Sequence, residues 1–138
     1  MKALTICQPY AHLICAKREK RIENRTWATR FRGPLLIHAG MSRKWLDVGR
    51  ATDGTPIDAY YNIPLSDMPF GAIVGAAVVI DCVHIDTIRA GRHDKRFPWL
   101  RDHDHTGGPW CWLLGNRRAF EAPSPLRAHS DCLTWRKT

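Results

Sequence analysis

The stretch "GAIVGAAVVIDCVHID", residues 71–86, constrains the fold more than any other part of the chain. It is rich in β-branched residues and too apolar to leave one face in water, so it predicts a strand that crosses a core or a closed barrel. Gly75 interrupts the run, as a bend or bulge at a barrel corner requires. Other strands are predicted around it. "ALTICQ" opens the chain, "IENRTW" alternates with period two, "PLLIHAG" reads as buried, and "PWCWLLGNRRAFEAP" sets Trp110 and Trp112 on one face. "CLTWR" closes the chain.

Helical signals are fewer. Pro9 suits a first turn, and Tyr10, Leu13, Ile14 and Lys17 follow at helical spacing. Lys17, Arg18 and Lys20 then fall at the helix end, where the dipole favours cations. Ser42 is placed to cap a short helix over "RKWLDVGRA", with Trp45 and Val48 inward. Residues 52–64 are polar with Gly and Pro, and no element is assigned there. Short strands with one or two helices predict a mainly β, α+β fold: a barrel decorated by helices.

The chain has 138 residues with 44% hydrophobic content, which fits one domain over 1–138 with one core. Its five cysteines (Cys7, Cys15, Cys82, Cys111 and Cys132) are odd in number and form no CxxC pair. That pattern favours reduced thiols in a cytoplasmic protein over a disulfide framework. No apolar run approaches the ~20 residues of a membrane span, and "MKALTICQPY" lacks the apolar core of a signal peptide. No membrane partner is expected.

The net charge is +8, and residues 17–32 hold seven basic residues against two acidic ones. A patch this concentrated attracts a polyanion, most commonly nucleic acid. Yet Glu23 sits in its middle. On a strand, Glu23, Arg25 and Trp27 share one face, while Ile22, Asn24 and Thr26 share the other. Residues two apart lie about 6.5–7 Å from each other. Glu23 and Arg25 therefore stand side by side, with Lys20 arriving from the helix end. Lys20 and Arg25, with Lys17, Arg18, Arg30 and Arg32 around them, suit phosphate. An oriented carboxylate instead accepts a hydrogen bond from a base amino group such as cytosine N4, or from a ribose hydroxyl. The bland alternative is a surface ion pair worth under ~1 kcal/mol.

The segments "ALTICQPYAHLI", "KRIENRTW", "RFRGPLLIHAG", "GAIVGAAVVIDCV" and "WCWLL" with the following Asn and Arg resemble, in this order, the ASCH domain of the PUA-like superfamily. The resemblance spans nearly the whole chain and implies a small PUA-like β-barrel with a cleft between barrel and helix. It also implies RNA binding there, in RNA metabolism or translation regulation. The family's loop G-x-K-x-x-E-x-R is matched by Lys20, Glu23 and Arg25, but Arg18 stands at the glycine position, where the turn asks for angles Arg resists. Some relatives in the wider family are amidohydrolases of acetylated cytidine. They are similar at Lys20 and Arg25 but carry a Thr nucleophile where Glu23 stands, and Thr26 belongs to the opposite face. Others resemble metal-assisted ribonucleases, for which no catalytic set maps here.

Further candidates are aromatic or polar. Tyr10, Trp27 and Trp110 are flat surfaces on which a base can stack at about 1–3 kcal/mol, although Trp27 and Trp112 also suit a core. Gln8 offers an amide able to read a base edge. His38 is either a satisfied core histidine or a general base. Asp81 and His84 either line a cleft or face water. "RDHDHTGG" reads as a solvated loop, and its spacing is not that of a metal site; no metal or cofactor is expected.

Three functions remain open: an RNA-binding domain holding single-stranded RNA or a nucleotide; an enzyme, ribonuclease or amidohydrolase, with Lys20, Glu23 and Arg25 catalytic; and a protein-interaction module with an acidic partner.

Overall fold

A computed structural model of the chain describes residues 1–124 and the backbone of Leu133–Thr134. The elements run β1 (Lys2–Ile6), α1 (Tyr10–Cys15), β2 (Ile22–Arg25), β3 (Gly33–Ala39), β4 (Val48–Arg50), β5 (Pro56–Asp58), β6 (Ile63–Pro64), a 3-10 turn (Leu65–Asp67), β7 (Ala72–His84), α2 (Ile85–Arg89), β8 (Trp110–Ser124) and β9 (Leu133–Thr134). Six strands form one curled sheet in the order β2-β8-β7-β3-β1-β9, and β4-β5-β6 form a small second sheet. The fold is mainly β with two short flanking helices.

β7 is the predicted central strand, 13 residues long, paired antiparallel with β3 on one side and β8 on the other. Its register against β8 shifts between Ile73 and Gly75, at the glycine that interrupts the apolar run. A Cβ at Gly75 would lie 2.2 Å from the Arg118 carbonyl oxygen and 2.7 Å from Cys15 Sγ. The missing side chain is therefore what lets β8 and α1 close on the strand at one point. The main core fills the inner face of the curl, with Leu4, Ile14, Leu35, Ile37, Val79 and Trp112.

Two smaller cores position the cleft. Ile22 of β2, Val83, Ile85, Ile88, Phe97, Leu100 and Leu113 pack together. They fasten the segment after α2 against the outer side of β2 and β8, so that residues 102–108 emerge beside β2. Leu13, Ile63 and Met68 clamp the small sheet onto α1. Within that sheet the fully buried Asp58 carboxylate accepts the backbone N–H of Asp47 at 2.8 Å and of Tyr61 at 2.9 Å, which fixes where Tyr61 points.

Several local expectations need correction. α1 ends at Cys15, so Lys17, Arg18 and Lys20 lie in a loop beyond it rather than in its last turn. The His12 carbonyl accepts from both Ala16 and Lys17, and the Lys20 N–H returns to the Leu13 carbonyl at 3.2 Å, turning the chain back at once. No helix forms over residues 43–51. Trp45 and Val48 are 55% and 60% exposed, and Val48 starts β4. Residues 52–64, left unassigned above, contain β5 and part of the small sheet. The closing "CLTWR" contributes β9, parallel to β1; Cys132 and Trp135 lie outside the described residues. Cys7, Cys15, Cys82 and Cys111 are free thiols. No helix among the described residues is long and apolar enough to cross a membrane.

Candidate nucleic-acid interface

A cleft of about 790 Å³ opens between the end of β1, α1, β2 and the 104–108 segment. Its floor is an ion-pair triad. Lys20 Nζ meets Glu23 Oε1 at 3.0 Å, and Arg25 grips Glu23 Oε2 with Nη2 at 2.9 Å and Nε at 3.0 Å. Lys20 also donates to the Ile22 carbonyl, and Arg25 Nη2 to the Thr5 carbonyl at 2.7 Å. Lys20 is 3% and Glu23 9% exposed. These are not solvated surface pairs, and stripping one partner leaves a buried charge uncompensated, which typically costs 3–5 kcal/mol. The triad carries a net positive charge; Arg25 engages Glu23 Oε2 twice and Lys20 engages Oε1 once, so the acceptor site left over is on Oε1.

Aromatic rings rim this floor. Tyr10 lies under Lys20 Nζ, 5.6 Å from the ring centre, and meets Trp45, Tyr61 and His105 edge-on at 6.3–6.4 Å. Trp27 stands edge-on to the buried Trp112 at 4.8 Å. Burial raises the Tyr10 hydroxyl above its usual range and pushes Tyr61 up to about 12, so both remain neutral hydrogen-bonding groups. His105 is lowered by burial and then by the charge of Lys20.

Asn24, on the other face of β2, fastens the opposite wall. Its Nδ2 donates to the His105 carbonyl at 2.8 Å, and its Oδ1 accepts the N–H of Gly108 at 2.9 Å and of Gly107 at 3.2 Å. Gly108 has φ +70°, and a Cβ there would fall 2.5 Å from Ile85 Cβ, so glycine is required. The wall is also tied to the cationic loop, since His103 Nε2 accepts the Arg21 N–H at 3.0 Å.

The turn leading into the triad bears on the family. Arg18 adopts φ +57°, the left-handed conformation that a glycine takes without strain, and its carbonyl accepts from Arg117. At the glycine position of the G-x-K-x-x-E-x-R loop, a non-glycine residue thus holds a conformation that favours glycine. A family model described as the ASCH domain matches residues 4–123. The chain belongs to the ASCH domain family. ASCH domains form part of the PUA-like superfamily, and this one has the corresponding mainly β, barrel-like fold. The family is generally RNA-binding or RNA-related. No curated protein matches the chain.

Of the site residues predicted from the sequence, this ASCH domain brings Tyr10, Lys20, Glu23, Arg25 and Trp27 together on the cleft. The others lie elsewhere. Gln8 is fully buried and both ends of its amide are engaged, Oε1 by the His12 N–H and Nε2 by the Pro69 carbonyl, each at 2.9 Å. It braces α1 rather than facing a ligand. Lys17, Arg18 and Arg30 are exposed and off the cleft lining. Arg32 pairs with Asp81 at 3.0 Å, as does Arg96 at 2.9 Å, so Asp81 faces two guanidinium groups rather than the cleft. His38 is buried and hydrogen-bonds with Thr5 Oγ1 at 3.1 Å. Trp110 packs edge-on against His84, and His84 caps α2 by accepting the Asp86 N–H. Thr26, expected to point away, lines the cleft because β2 ends at Arg25 and the alternation stops.

The ASCH cleft also uses residues that the sequence reading missed: Thr5, Asn24, Lys44, Trp45, Tyr61 and His105. The adjacent aromatics Tyr60–Tyr61 in a polar stretch, and the Gly-Gly-Pro after "DHDH", were the available signals. Far from being a solvated loop, "DHDH" half-buries both histidines.

Proposed function

We propose that this ASCH domain binds single-stranded RNA by enclosing one nucleotide in the Glu23 cleft. The observation that carries the reading is a carboxylate fixed on both oxygens, by the buried Lys20 and the half-buried Arg25, at the floor of a cleft with an aromatic rim. Glu23 accepts from the amino group of the base, Tyr10 and Trp27 offer ring surface to it, and Arg25 and Lys44 face the phosphate. A cation-only patch would bind polyanions without reading a base. A carboxylate alone would repel them.

The test is fluorescence anisotropy with a short single-stranded RNA at about 50 and about 200 mM salt. Two neutralised phosphates predict roughly a tenfold loss of affinity over that range. Glu23→Gln removes the charged acceptor and is expected to weaken binding about tenfold and to blunt discrimination among bases. Binding indifferent to salt, or a Glu23→Gln protein that binds every base as the parent does, would refute the proposal.

A further inference from the structure

Beyond the cleft lies a second cavity of about 910 Å³, and the two share Tyr61, Asp104 and His105 as a common wall. The second cavity adds Tyr60, Trp99 and His103, with the carboxylates of Glu19 and Asp102. A run of rings links the two spaces. Tyr10 meets His105 at 6.4 Å, His105 meets His103 at 5.6 Å, and His103 meets Trp99 at 5.6 Å. Trp99 carries the Arg21 guanidinium on its face at 3.6 Å, which holds its ring in place. Tyr60 is 77% exposed, although it stands edge-on to Tyr61 at 4.7 Å. Such a large exposed ring beside a cavity, continuous with an aromatic track, is a stacking surface without a partner base.

The two cavities differ in charge. The first has Lys20 and Arg25 on its floor, whereas the second is lined by the carboxylates of Glu19, Asp102 and Asp104, with the Arg21 guanidinium stacked on its Trp99 as the adjoining cation. His103 adds no positive charge near neutral pH, since burial, then His105 and Arg21, lower it to about 4. It accepts the Arg21 N–H on Nε2, so its ring proton sits on Nδ1. Three carboxylates disfavour phosphate there, and a base with an exocyclic amino group, which offers two N–H bonds to these acceptors, fits better than uracil, whose one base donor is N3–H.

Resting on the nucleotide reading of the first cleft, we propose that the domain holds a dinucleotide step of single-stranded RNA. One base occupies the Glu23 cleft. Its neighbour lies across the Tyr61–His105 wall in the carboxylate-lined cavity, which favours adenine, cytosine or guanine over uracil. The phosphodiester between them stays on the Lys20–Arg25 side of the wall.

The experiment titrates the full chain with the four ribonucleoside monophosphates and with every dinucleotide of the same four bases. The best dinucleotide is expected to bind at least about fivefold more tightly than its better component mononucleotide, the low end for one added stacked base. Dinucleotides ending in uracil on the second-cavity side should lose most of that gain. Tyr60→Ala is expected to abolish the gain and leave mononucleotide affinity unchanged; Tyr60→Phe, which keeps the ring, retains it. Asp102→Asn should narrow the preference against uracil. If mononucleotides bind and dinucleotides gain nothing, the second subsite is wrong and the first stands. A gain untouched by Tyr60→Ala also overturns the second subsite. If neither class of ligand binds, both readings fall together.

Discussion

One wall of the cleft comes from a single short stretch, Lys20 to Arg25, and the other is assembled from Tyr61 and the 104–108 segment, far apart in sequence. On the first wall, strand alternation places Glu23 and Arg25 side by side and their ion pairs run within the stretch, while the β8 ladder, Arg117 and the Thr5 carbonyl anchor it from outside. On the second, no local pattern positions anything. His105 and the glycines stand where they do because Asn24 ties their backbone to β2 and because Ile85, Phe97 and Leu100 anchor the segment around them. The contrast teaches that strand alternation and local charge arrange the charged wall, while the aromatic wall depends on packing and on one amide. Damage to the two should therefore look different.

The sharpest break falls on the charged wall. Glu23→Ala leaves Lys20 buried beside no carboxylate, so unfolding free energy should drop by about 3–5 kcal/mol in a urea titration. A drop under ~1 kcal/mol would make the triad an ordinary surface pair. On the aromatic wall, Gly108→Ala combines a left-handed φ with a Cβ that collides with Ile85, and about 2–3 kcal/mol is expected from the same titration. Asn24→Ala removes the tether alone. It should cost about 1–2 kcal/mol and speed amide hydrogen exchange at Gly107 and Gly108 while leaving the 23–25 amides protected. Equal loss of protection on both walls would erase the distinction.

Acid should also act on the aromatic wall. His103 titrates at about 4 in the folded chain against an ordinary 6.5, so the unfolded chain takes up its proton first. Its stabilising contribution is complete above about pH 6.5 and is lost as pH falls toward about 4. His105 is shifted in the same direction. The urea midpoint should decline across that window, and His103→Gln should flatten part of the decline. The smallest effect has the opposite sign. Arg18→Gly relieves a left-handed φ on a non-glycine residue, but it also frees the unfolded chain, so a gain of no more than about 1 kcal/mol is expected.

The difference between the walls is also the difference in what could be read from the chain. The central strand, its interrupting glycine, and the Lys20, Glu23 and Arg25 set follow from patterns of period two and from local charge. What escaped needed tertiary information. Gln8 looks like a base-reading amide until the backbone groups at His12 and Pro69 claim both its ends. Arg30 and Arg32 share a charge run with Arg25, yet β2 ends between them and the chain turns away from the cleft. "RKWLDVGRA" has helical spacing, but its Trp45 and Val48 find no core to pack on, and the pairing of β4 with β5 prevails. Tyr61 is invisible as a site residue because Asp58 and the packing of Ile63 on Leu13 bring it there.

The central claim is that Glu23 reads a base. A structure of the domain with a short single-stranded RNA tests it most directly. The account predicts one nucleotide in the cleft, with its exocyclic amino group within hydrogen-bond distance of a Glu23 oxygen and its phosphate toward Arg25 or Lys44. RNA bound along Arg30 and Arg32 with the cleft left empty, or a phosphate group seated against the Lys20–Glu23 pair with the base in solvent, would contradict it.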